Sequence, residues 1–236
     1  MGGSLEGKWV VVTGGSRGLG KTTAALLARH GARVLATSRT AEPLAPSRLP
    51  GPGQTTAVAL DVTQEPSVLR LFSALDAAGV TPDVLVNNAG VGLFKPLTET
   101  RMEEWEQVLR TNLTGAFLCA REAFRRMAKG AGGRIINVGS IAGQVPLADN
   151  AAYAASKFGL RGLSQVMSVE GAARNVRVSL IQLGATWTEL WQGREGFDPA
   201  QMLKAEDLAQ TVLEIAQRPL HVRVDEVTVL PPRGIL

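Results

Sequence analysis

Short apolar runs alternate along the chain with longer segments whose apolar residues recur at helical spacing. The runs predict strands at Lys8–Thr13, Arg33–Thr37, Thr56–Leu60, Asp83–Asn87, Arg134–Gly139 and Val176–Leu180. The intervening segments predict helices at Leu19–His30, Pro66–Ala78, Arg101–Lys129, Ala151–Arg174 and Ala205–Gln217. Residues 10–12 and 84–86 are all Val or Leu, which is typical of strands buried on both faces of a parallel sheet. The pattern therefore predicts a doubly wound α/β fold with three layers, α/β/α.

One segment between the second and third predicted strands interrupts the alternation. Glu42 to Gln54 contains Pro43, Pro46, Pro50 and Pro52, and this density of proline predicts an irregular crossover instead of a helix. We find no repeat or linker, so residues 1–236 are expected to form a single domain. The segment from Gly184 to Pro199 is expected to be a functional loop, at about 184–200, beyond the carboxyl ends of the strands.

Composition and charge exclude several classes of function. The net charge is +4, but the basic residues are scattered, so we expect no nucleic-acid partner. A single cysteine, Cys119, rules out an internal disulfide, and two isolated histidines, His30 and His221, do not form a metal site. No segment resembles a signal peptide or reaches membrane-spanning length. These features predict a soluble cytoplasmic protein with no metal and no membrane partner.

The stretch "GGSRGLGKTT", residues 14–23, fits two phosphate-binding patterns. Gly15 to Thr22 matches the P-loop of nucleoside triphosphatases, whereas Thr13 to Gly20 matches the loop T-G-x-x-x-G-x-G of a dinucleotide-binding unit. Both patterns place glycines between a strand and a helix, where backbone N–H groups approach phosphate closely. Asp61, which closes an apolar strand, also supplies the acid that a P-loop protein requires. The loop alone therefore leaves both interpretations open.

Three patterns further along the chain favour the dinucleotide. The turn "NNAG", Asn87 to Gly90, has small residues that allow a flat ring and a ribose to lie against the backbone. Ser140 follows the fifth strand and places a hydroxyl at the carboxyl edge of the sheet. Tyr153 and Lys157, four residues apart near the start of a helix, share one helix face. A P-loop triphosphatase remains an alternative that leaves these three patterns unexplained.

In this order and spacing, the motifs from Gly7 to about Thr188 resemble the short-chain dehydrogenase/reductase family in its compact single-domain form, including NADP-dependent carbonyl reductases. The resemblance implies a Rossmann-type sheet, a nicotinamide cofactor, a small-molecule carbonyl or alcohol substrate, and a homodimer or homotetramer. The residues expected to bind the cofactor are Thr13, Gly14, Ser16, Arg17, Gly18, Leu19, Gly20, Ser38, Arg39, Asp61, Val62, Asn88, Ala89, Gly90, Tyr153, Lys157, Gly184 and Thr188.

Hydride transfer to a carbonyl carbon leaves negative charge on the oxygen, which then needs a proton donor and a second hydrogen bond. Tyr153 is the predicted general acid for reduction and general base for oxidation, and the charge of Lys157 is expected to lower its pKa. Ser140 is expected to hold the substrate oxygen. The resemblance implies that Lys157 also binds the nicotinamide ribose and that Asn112 positions a water. A dinucleotide-binding regulatory protein without catalytic activity is the alternative.

The end of the second strand bears on the choice between NADP and NAD. It reads Ala36 to Thr40, "ATSRT", and lacks the acid that usually binds the ribose hydroxyls in NAD-specific sites. Arg39 and Arg17 could instead clamp a 2′-phosphate, with a hydrogen bond from Ser38. We therefore favour NADP(H), and NAD(H) remains possible if Glu42 folds back to bind the ribose.

The resemblance also implies a mostly apolar substrate pocket, which suits a medium-sized carbonyl compound or its alcohol. Ser140, Gln144, Trp187 and Trp191 are the predicted substrate contacts. The two tryptophans are four residues apart, so they equally fit a packed helix face or a subunit contact. Leu183-Gly184 stands where the family commonly has Pro-Gly, which leaves the geometry of the following loop open.

Overall fold

The computed structural model describes residues 4–188 and 198–235, and in it seven strands form one parallel sheet. The order across the sheet is β3-β2-β1-β4-β5-β6-β7. The strands are β1 (Trp9–Val12), β2 (Arg33–Ser38), β3 (Thr55–Ala59), β4 (Val84–Asn87), β5 (Gly133–Val138), β6 (Val176–Leu183) and β7 (Glu226–Val229). The first six confirm the predicted strands to within a few residues. β7 was not predicted; it is a short edge strand in which polar Glu226 and Thr228 alternate with two valines.

Helices cover both faces of the sheet. They are α1 (Gly18–Arg29), α2 (Glu65–Ala77), α3 (Met102–Leu109), α4 (Gly115–Lys129), α5 (Ala151–Ala172) and α6 (Ala205–Ala216). The prediction of one uninterrupted helix at Arg101–Lys129 is wrong. A π-helical segment, Arg110–Thr114, separates α3 from α4 without breaking the chain's helical course, and apolar periodicity does not distinguish such a local widening from an α-helix.

The residues of β1 show why the chain needs three layers. Val10 and Val12 belong to a core that includes Leu27 of α1 and Val212 of α6. Val11, between them, belongs to a second core with Phe72 of α2 and further residues of α4 and β5. Because successive strand residues point to opposite faces, both faces of β1 are buried. This confirms the doubly wound α/β fold.

The crossover between β2 and β3 contains a single short helical turn, the 3₁₀ segment Pro46–Arg48, which confirms that this segment is irregular. The amide of Ala59 donates to the Glu42 carbonyl at 2.8 Å and fastens the start of the crossover to β3.

The strand order reverses at β1, whose two neighbours in the sheet are β2 and β4. The connections that leave the carboxyl ends of β1 and β4 therefore diverge to opposite faces and leave a crevice between them, which is where ligands of open α/β sheets bind. In the part of the chain that the structure describes, no helix is both long and apolar enough to cross a lipid bilayer.

Candidate active site

A cleft of about 1070 Å³ lies along the carboxyl ends of the strands. It is lined by most of the residues that the sequence singled out. These are Gly14, Ser16, Arg17, Gly18, Leu19, Gly20, Ser38, Arg39, Asp61, Val62, Asn88, Ala89, Gly90, Ser140, Tyr153, Lys157, Gly184 and Thr188. Residues that follow the strands β1 to β6 thus meet in one crevice, as the topology requires.

The loop after β1 forms a cradle that tolerates no side chain at Gly20. A Cβ there would lie 2.2 Å from the Gly14 carbonyl oxygen. Gly14 and Gly18 adopt φ values of +63° and +48°, in the left-handed region that favours glycine. The first turn of α1 contains no acidic residue, so the helix N-terminus is electrostatically suited to an anion. This cradle fits the pyrophosphate of a dinucleotide, and Lys21 and Thr22 lie within α1 behind it.

Thr13 lies behind this cradle and fastens β1 to the turn that follows β4. Its Oγ1 accepts hydrogen bonds from the amides of Asn88 and Ala89, both at 3.0 Å. The Asn88 carboxamide donates back to the carbonyls of Thr13 at 3.0 Å and Gly14 at 3.2 Å. Thr13 is 1% exposed and does not line the cleft, so it shapes the proposed cofactor site from behind.

Ser140 sits at the end of β5 and caps the 3₁₀ turn Ile141–Gly143. Its Oγ accepts a hydrogen bond from the Ala142 amide at 3.2 Å, which leaves the hydroxyl hydrogen available to another acceptor. The Ser140 side chain also lies close enough to Tyr153 to influence its pKa. The two side chains that the sequence pairs are therefore neighbours in the cleft lining.

Burial perturbs both titratable groups of the Tyr-Lys pair. Lys157 is 6% exposed, and burial lowers its pKa to about 8. Burial raises the pKa of Tyr153, and the side chain of Ser140 opposes this rise only in part. The Lys157 ammonium donates to the Val138 carbonyl at 2.9 Å and lies 5.5 Å from the centre of the Tyr153 ring. The expectation that Lys157 lowers the pKa of Tyr153 stays a prediction.

Asn112 lies in the π-helical segment and braces the start of α5. Its Nδ2 donates to the Val91 carbonyl at 2.9 Å and to Ser156 Oγ at 3.1 Å, and its Oδ1 accepts from the Val91 amide at 2.8 Å. Ser156 in turn donates to the Tyr153 carbonyl at 2.6 Å. Both amide hydrogens of Asn112 are thus used by protein acceptors. A water behind Lys157 would have to be held by an oxygen of Asn112, and that role stays a prediction.

Asp61 and Val62 line the end of the cleft beyond β3. The Asp61 carboxylate accepts from the amide of Thr63 at 2.9 Å and from its hydroxyl at 2.7 Å, which shapes the turn. Val62 packs closely on the start of α4, because a Cβ on Gly115 would lie 2.8 Å from it. The turn therefore presents Val62 as a fixed apolar surface, which suits a planar base.

The end of β2 places Ser38 and Arg39 in the cleft lining, which also includes Arg17 of the glycine loop. Arg39 is exposed, so its guanidinium is accessible to an anionic ligand. Glu42 forms an ion pair with Arg48 of the crossover, and it is not among the described residues that line the cleft.

Two of the predicted substrate contacts lie outside the cleft. The Gln144 carboxamide donates to Glu226 and Thr228 of β7, contacts that span more than 80 residues and that periodicity could not reveal. Trp187 is 37% exposed and does not line the cleft. Trp191 lies outside the described residues.

Sequence reasoning also missed one wall of the cleft, which α3 and the π-helical segment supply. These lining residues are Glu103, Glu106, Gln107, Arg110 and Thr111. The signal was present, because they form the polar face of an amphipathic helix just beyond the "NNAG" turn. Among the residues that the structure describes, no group of three His, Cys, Asp or Glu side chains could hold a metal ion.

The fold and the cleft define a dinucleotide-binding α/β protein, and comparison with known proteins gives its family. A family model described as short chain dehydrogenase matches residues 8–197. The chain is 39% identical over 189 residues to the 3-oxoacyl-(acyl-carrier-protein) reductase FabG of Vibrio cholerae serotype O1, covering 79% of this chain and 77% of that protein. It is 37% identical over 199 residues to the D-threitol dehydrogenase of Mycolicibacterium smegmatis, covering 81% and 76%.

Among solved structures, a metagenomic short-chain oxidoreductase in complex with NADP matches with a TM-score of 0.78 and 33% identity, covering 97% of this chain and 98% of that one. The chain therefore belongs to the short-chain dehydrogenase family of oxidoreductases, whose members bind NAD or NADP. This confirms the resemblance carried by the sequence motifs and removes the P-loop alternative.

Proposed function

We propose that this protein is an NADP(H)-dependent oxidoreductase that interconverts a carbonyl and a secondary alcohol, with Tyr153 as general acid and base. The observation that carries the proposal is that Ser140, Tyr153 and buried Lys157 line the same cleft as the glycine cradle. A bound nicotinamide would supply or accept the hydride. The residues of this chain then have to bind the substrate oxygen and move one proton.

In the direction of reduction, the proton passes from the Tyr153 hydroxyl to the substrate oxygen. The raised pKa of Tyr153 keeps that hydroxyl protonated at neutral pH, which suits a proton donor. Ser140 donates a second hydrogen bond to the oxygen as negative charge develops there. With a pKa of about 8, Lys157 is largely charged at neutral pH and stabilises the tyrosinate that is left behind.

The rim of the cleft supports NADP(H) over NAD(H). Arg17 and Arg39 offer two guanidinium groups to a 2′-phosphate, and Ser38 adds a hydroxyl. Glu42, a nearby acid that could have bound the ribose hydroxyls, is engaged with Arg48. NADP is also the cofactor bound in the metagenomic relative.

The described part of the substrate end is mostly apolar, since Phe94, Ile141 and Leu147 line it. The rings of Phe94 and Tyr153 lie 5.9 Å apart, which confines the substrate beside the proton donor. We infer a medium-sized, uncharged carbonyl compound or its alcohol. A reductase and a dehydrogenase among the relatives are compatible with either direction.

We also infer a homodimer or homotetramer that forms through α4 and α5. Apolar side chains on these neighbouring helices remain exposed, namely Phe117, Phe158, Val166 and Val169. On α5 the last three recur at helical spacing along one face. An apolar stripe of this kind is typical of a protein–protein interface.

Oxidation of NADPH, followed over a panel of ketones and aldehydes, tests the proposed function. We expect turnover with at least one substrate, and we expect Tyr153→Phe to reduce kcat by about 10²- to 10⁴-fold while NADPH still binds. A protein that binds NADPH but turns over no member of the panel would instead support the regulatory alternative. Substrate turnover that survives Tyr153→Phe unchanged would refute the assigned role of Tyr153.

A further inference from the structure

A fully buried glutamine lies directly beneath Ser140. Gln182 of β6 is 0% exposed, and its Oε1 accepts a hydrogen bond from the Ser140 amide at 3.0 Å. The carboxamide occupies the space under the preceding residue, because a Cβ on Gly139 would lie 2.5 Å from Gln182 Oε1. The backbone that carries the Ser140 hydroxyl is therefore held by a side chain from the neighbouring strand.

The other end of the carboxamide meets a carboxylate. Gln182 Nε2 donates to Glu226 Oε1 of β7 at 3.2 Å. A carboxylate is only an acceptor, so it must face the NH₂ group of the amide. This contact forces Oε1 to point toward Ser140, and it excludes the flipped amide, which would set NH₂ against the Ser140 N–H. Glu226 thus fixes the polarity of Gln182.

Glu226 is itself anchored to the helix that carries Tyr153 and Lys157. Arg161 of α5 donates from Nε to Glu226 Oε2 at 3.1 Å, and it lies one turn beyond Lys157. Burial acts to raise the pKa of Glu226, but hydrogen bonds from Gln144, Arg161 and Gln182 bring it below its ordinary value. The carboxylate therefore stays ionised at neutral pH, and it accepts hydrogen bonds from both Gln182 and Arg161 there.

These contacts connect the two halves of the proposed catalytic pair by a second route. The first route is direct, because Ser140 and Tyr153 are neighbours in the cleft lining. The second runs from the Ser140 amide through Gln182, Glu226 and Arg161 to α5. We propose that Gln182 and Glu226 are positioning residues, which fix the Ser140 hydroxyl against Tyr153 for the carbonyl–alcohol interconversion, and this inference rests on that proposed function.

A purely structural explanation is available, because β7 is an edge strand and the same contacts tie it to β6. The positioning role and the purely structural role predict different effects when the side chains of Gln182 and Glu226 are exchanged. Gln182→Glu still offers an acceptor to the Ser140 amide but sets two carboxylates against each other. Adding Glu226→Gln restores a donor opposite the new carboxylate and returns the same pair of groups in reversed order.

The test compares Gln182→Met, Gln182→Glu, Glu226→Gln and the double exchange with the wild-type protein. Thr228→Val is the matched control, since Thr228 lies on β7 and contacts Gln144 at 3.3 Å without belonging to the chain of contacts from Ser140. The measurements are kcat and KM for the carbonyl substrate, the NADPH dissociation constant, and the thermal midpoint. Tyr153→Phe is measured in the same series to establish that the activity is the proposed one.

We expect Gln182→Met to reduce kcat by about 10- to 100-fold, as a misplaced catalytic group does, with NADPH affinity within about twofold of wild type. At pH 8, Gln182→Glu should reduce kcat by a similar factor. This kcat should recover as the pH falls toward about 5.5, because protonation of either carboxyl group restores a hydrogen-bond donor between residues 182 and 226. The double exchange should return to within about threefold of wild type at pH 8. Thr228→Val should leave kcat unchanged.

Wild-type kcat in Gln182→Met would overturn the positioning role. So would a Gln182→Glu variant whose activity is independent of pH and is not rescued by the exchange at position 226. If Gln182→Met does not fold, the pH dependence and the double exchange still decide the question. An inactive wild-type protein would instead refute the proposed function, and this inference with it. Activity that Tyr153→Phe abolishes but that these variants leave intact would refute the inference alone.

Discussion

Burial of the Lys157 ammonium at the proposed active site destabilises the folded protein. Burial lowers its pKa from 10.5 to about 8, so the folded protein disfavours the charged form. Below pH 8 both the folded and the unfolded chain hold the proton, so the full desolvation penalty lowers the free energy of unfolding. Between pH 8 and 10.5 the unfolded chain holds a proton that the folded chain has lost, so the free energy of unfolding rises with pH across this window.

Replacing Lys157 should therefore stabilise the protein while it destroys activity. We expect Lys157→Met to raise the free energy of unfolding at pH 7 by about 2 kcal/mol, less than the full desolvation cost because the hydrogen bond to Val138 is lost. The gain should shrink toward zero by pH 10.5. Urea unfolding at pH 7 and pH 10 measures it, and Lys129→Met, at an exposed position, is the control. An equal gain at both pH values would show that desolvation of the ammonium is not the cause.

The pH dependence of carbonyl reduction should follow from the same two groups. Tyr153 has a raised pKa and remains a proton donor through the neutral range. Lys157 loses its charge near pH 8, and the tyrosinate formed in the reaction then loses its stabilising partner. We expect kcat for reduction to be level from pH 6 to about 7.5 and to fall above pH 8. A rate that increases steadily from pH 6 to 9 would argue against Tyr153 as the acid.

Arg39 should discriminate between the two cofactors. We expect Arg39→Asp to raise the KM for NADPH by about 10- to 100-fold, because a charge-assisted bidentate contact to the 2′-phosphate is replaced by repulsion. The KM for NADH should change by less than about threefold. Arg70→Asp makes the same change in charge at an exposed site of α2 outside the cleft lining. Equal effects of the two substitutions on NADPH would show that only the net charge matters.

At the residue scale, the sequence revealed those site residues whose function depends on local spacing. The glycines of the loop lie within a few residues of one another, so their spacing alone identifies the motif. Tyr153 and Lys157 are four residues apart on one helix, so their spacing predicts that they share a face. Gln182 and Glu226 were missed because they are 44 residues apart and join only through the pairing of β6 with β7. Burial, which the sequence does not show, raises the pKa of Tyr153, and the effect of the Lys157 charge on that pKa stays a prediction.

At the element scale, Gly20 and Gly162 should respond in opposite ways to substitution by alanine, one losing and one gaining stability. We expect Gly20→Ala to weaken NADPH binding by at least about 10-fold and to destabilise the protein by about 1–3 kcal/mol, because its Cβ would lie 2.2 Å from the Gly14 carbonyl oxygen. Gly162, in the middle of α5, has open space at its Cβ position. Gly162→Ala should stabilise the protein by about 0.5–1 kcal/mol.

Thermal unfolding and NADPH titration of both variants check this pair. If Gly20→Ala binds NADPH as the wild type does, the cradle does not hold the pyrophosphate. If Gly162→Ala lowers the thermal midpoint, the added methyl group meets the second copy that we propose on this face of α5, because Gly162 lies four residues from Phe158 and four from Val166.

Element boundaries were predictable where burial makes the pattern strong. Five of the six strands found from the sequence lie in the interior of the sheet, and their apolar runs record that burial. The sixth, β3, is an edge strand whose one buried residue is Val58. β7 is an edge strand with partly exposed residues, so its sequence carries a weak signal. The π-helical segment that holds Asn112 differs from an α-helix by a local change in hydrogen bonding, which leaves no trace in the apolar periodicity.

At the scale of the whole molecule, the site depends on topology more than on any one motif. Ser140 follows β5, the glycine loop follows β1, and the "NNAG" turn follows β4. These segments are far apart in sequence and meet because parallel strands place all their carboxyl ends at one edge. The sequence could predict this meeting because alternation of strands and helices implies a parallel sheet. For the α3 wall the sequence shows only an amphipathic pattern, since the packing of that helix over the cleft depends on tertiary contacts.

The exposed apolar residues of α5 predict that the protein forms an oligomer. Val169 is 73% exposed and Val166 is 56% exposed, and both lie on the apolar stripe of α5 beside Phe158. Such a stripe is costly to leave in water, so a second copy of the chain should cover it. We expect Val169→Glu to shift the protein toward monomer in sedimentation velocity, because pairing would desolvate the new carboxylate without a partner.

Leu97→Glu provides the matched control for this change. Leu97 is 72% exposed in the turn Leu97–Glu99, outside α4 and α5, and it receives the same charge at nearly the same exposure. We expect this variant to sediment as the wild type does, so that a shift confined to Val169→Glu identifies the α5 stripe as the contact. Equal shifts in both variants would trace the effect to net charge. A wild-type protein that sediments as a monomer at all concentrations would show that the stripe is not covered by a second copy.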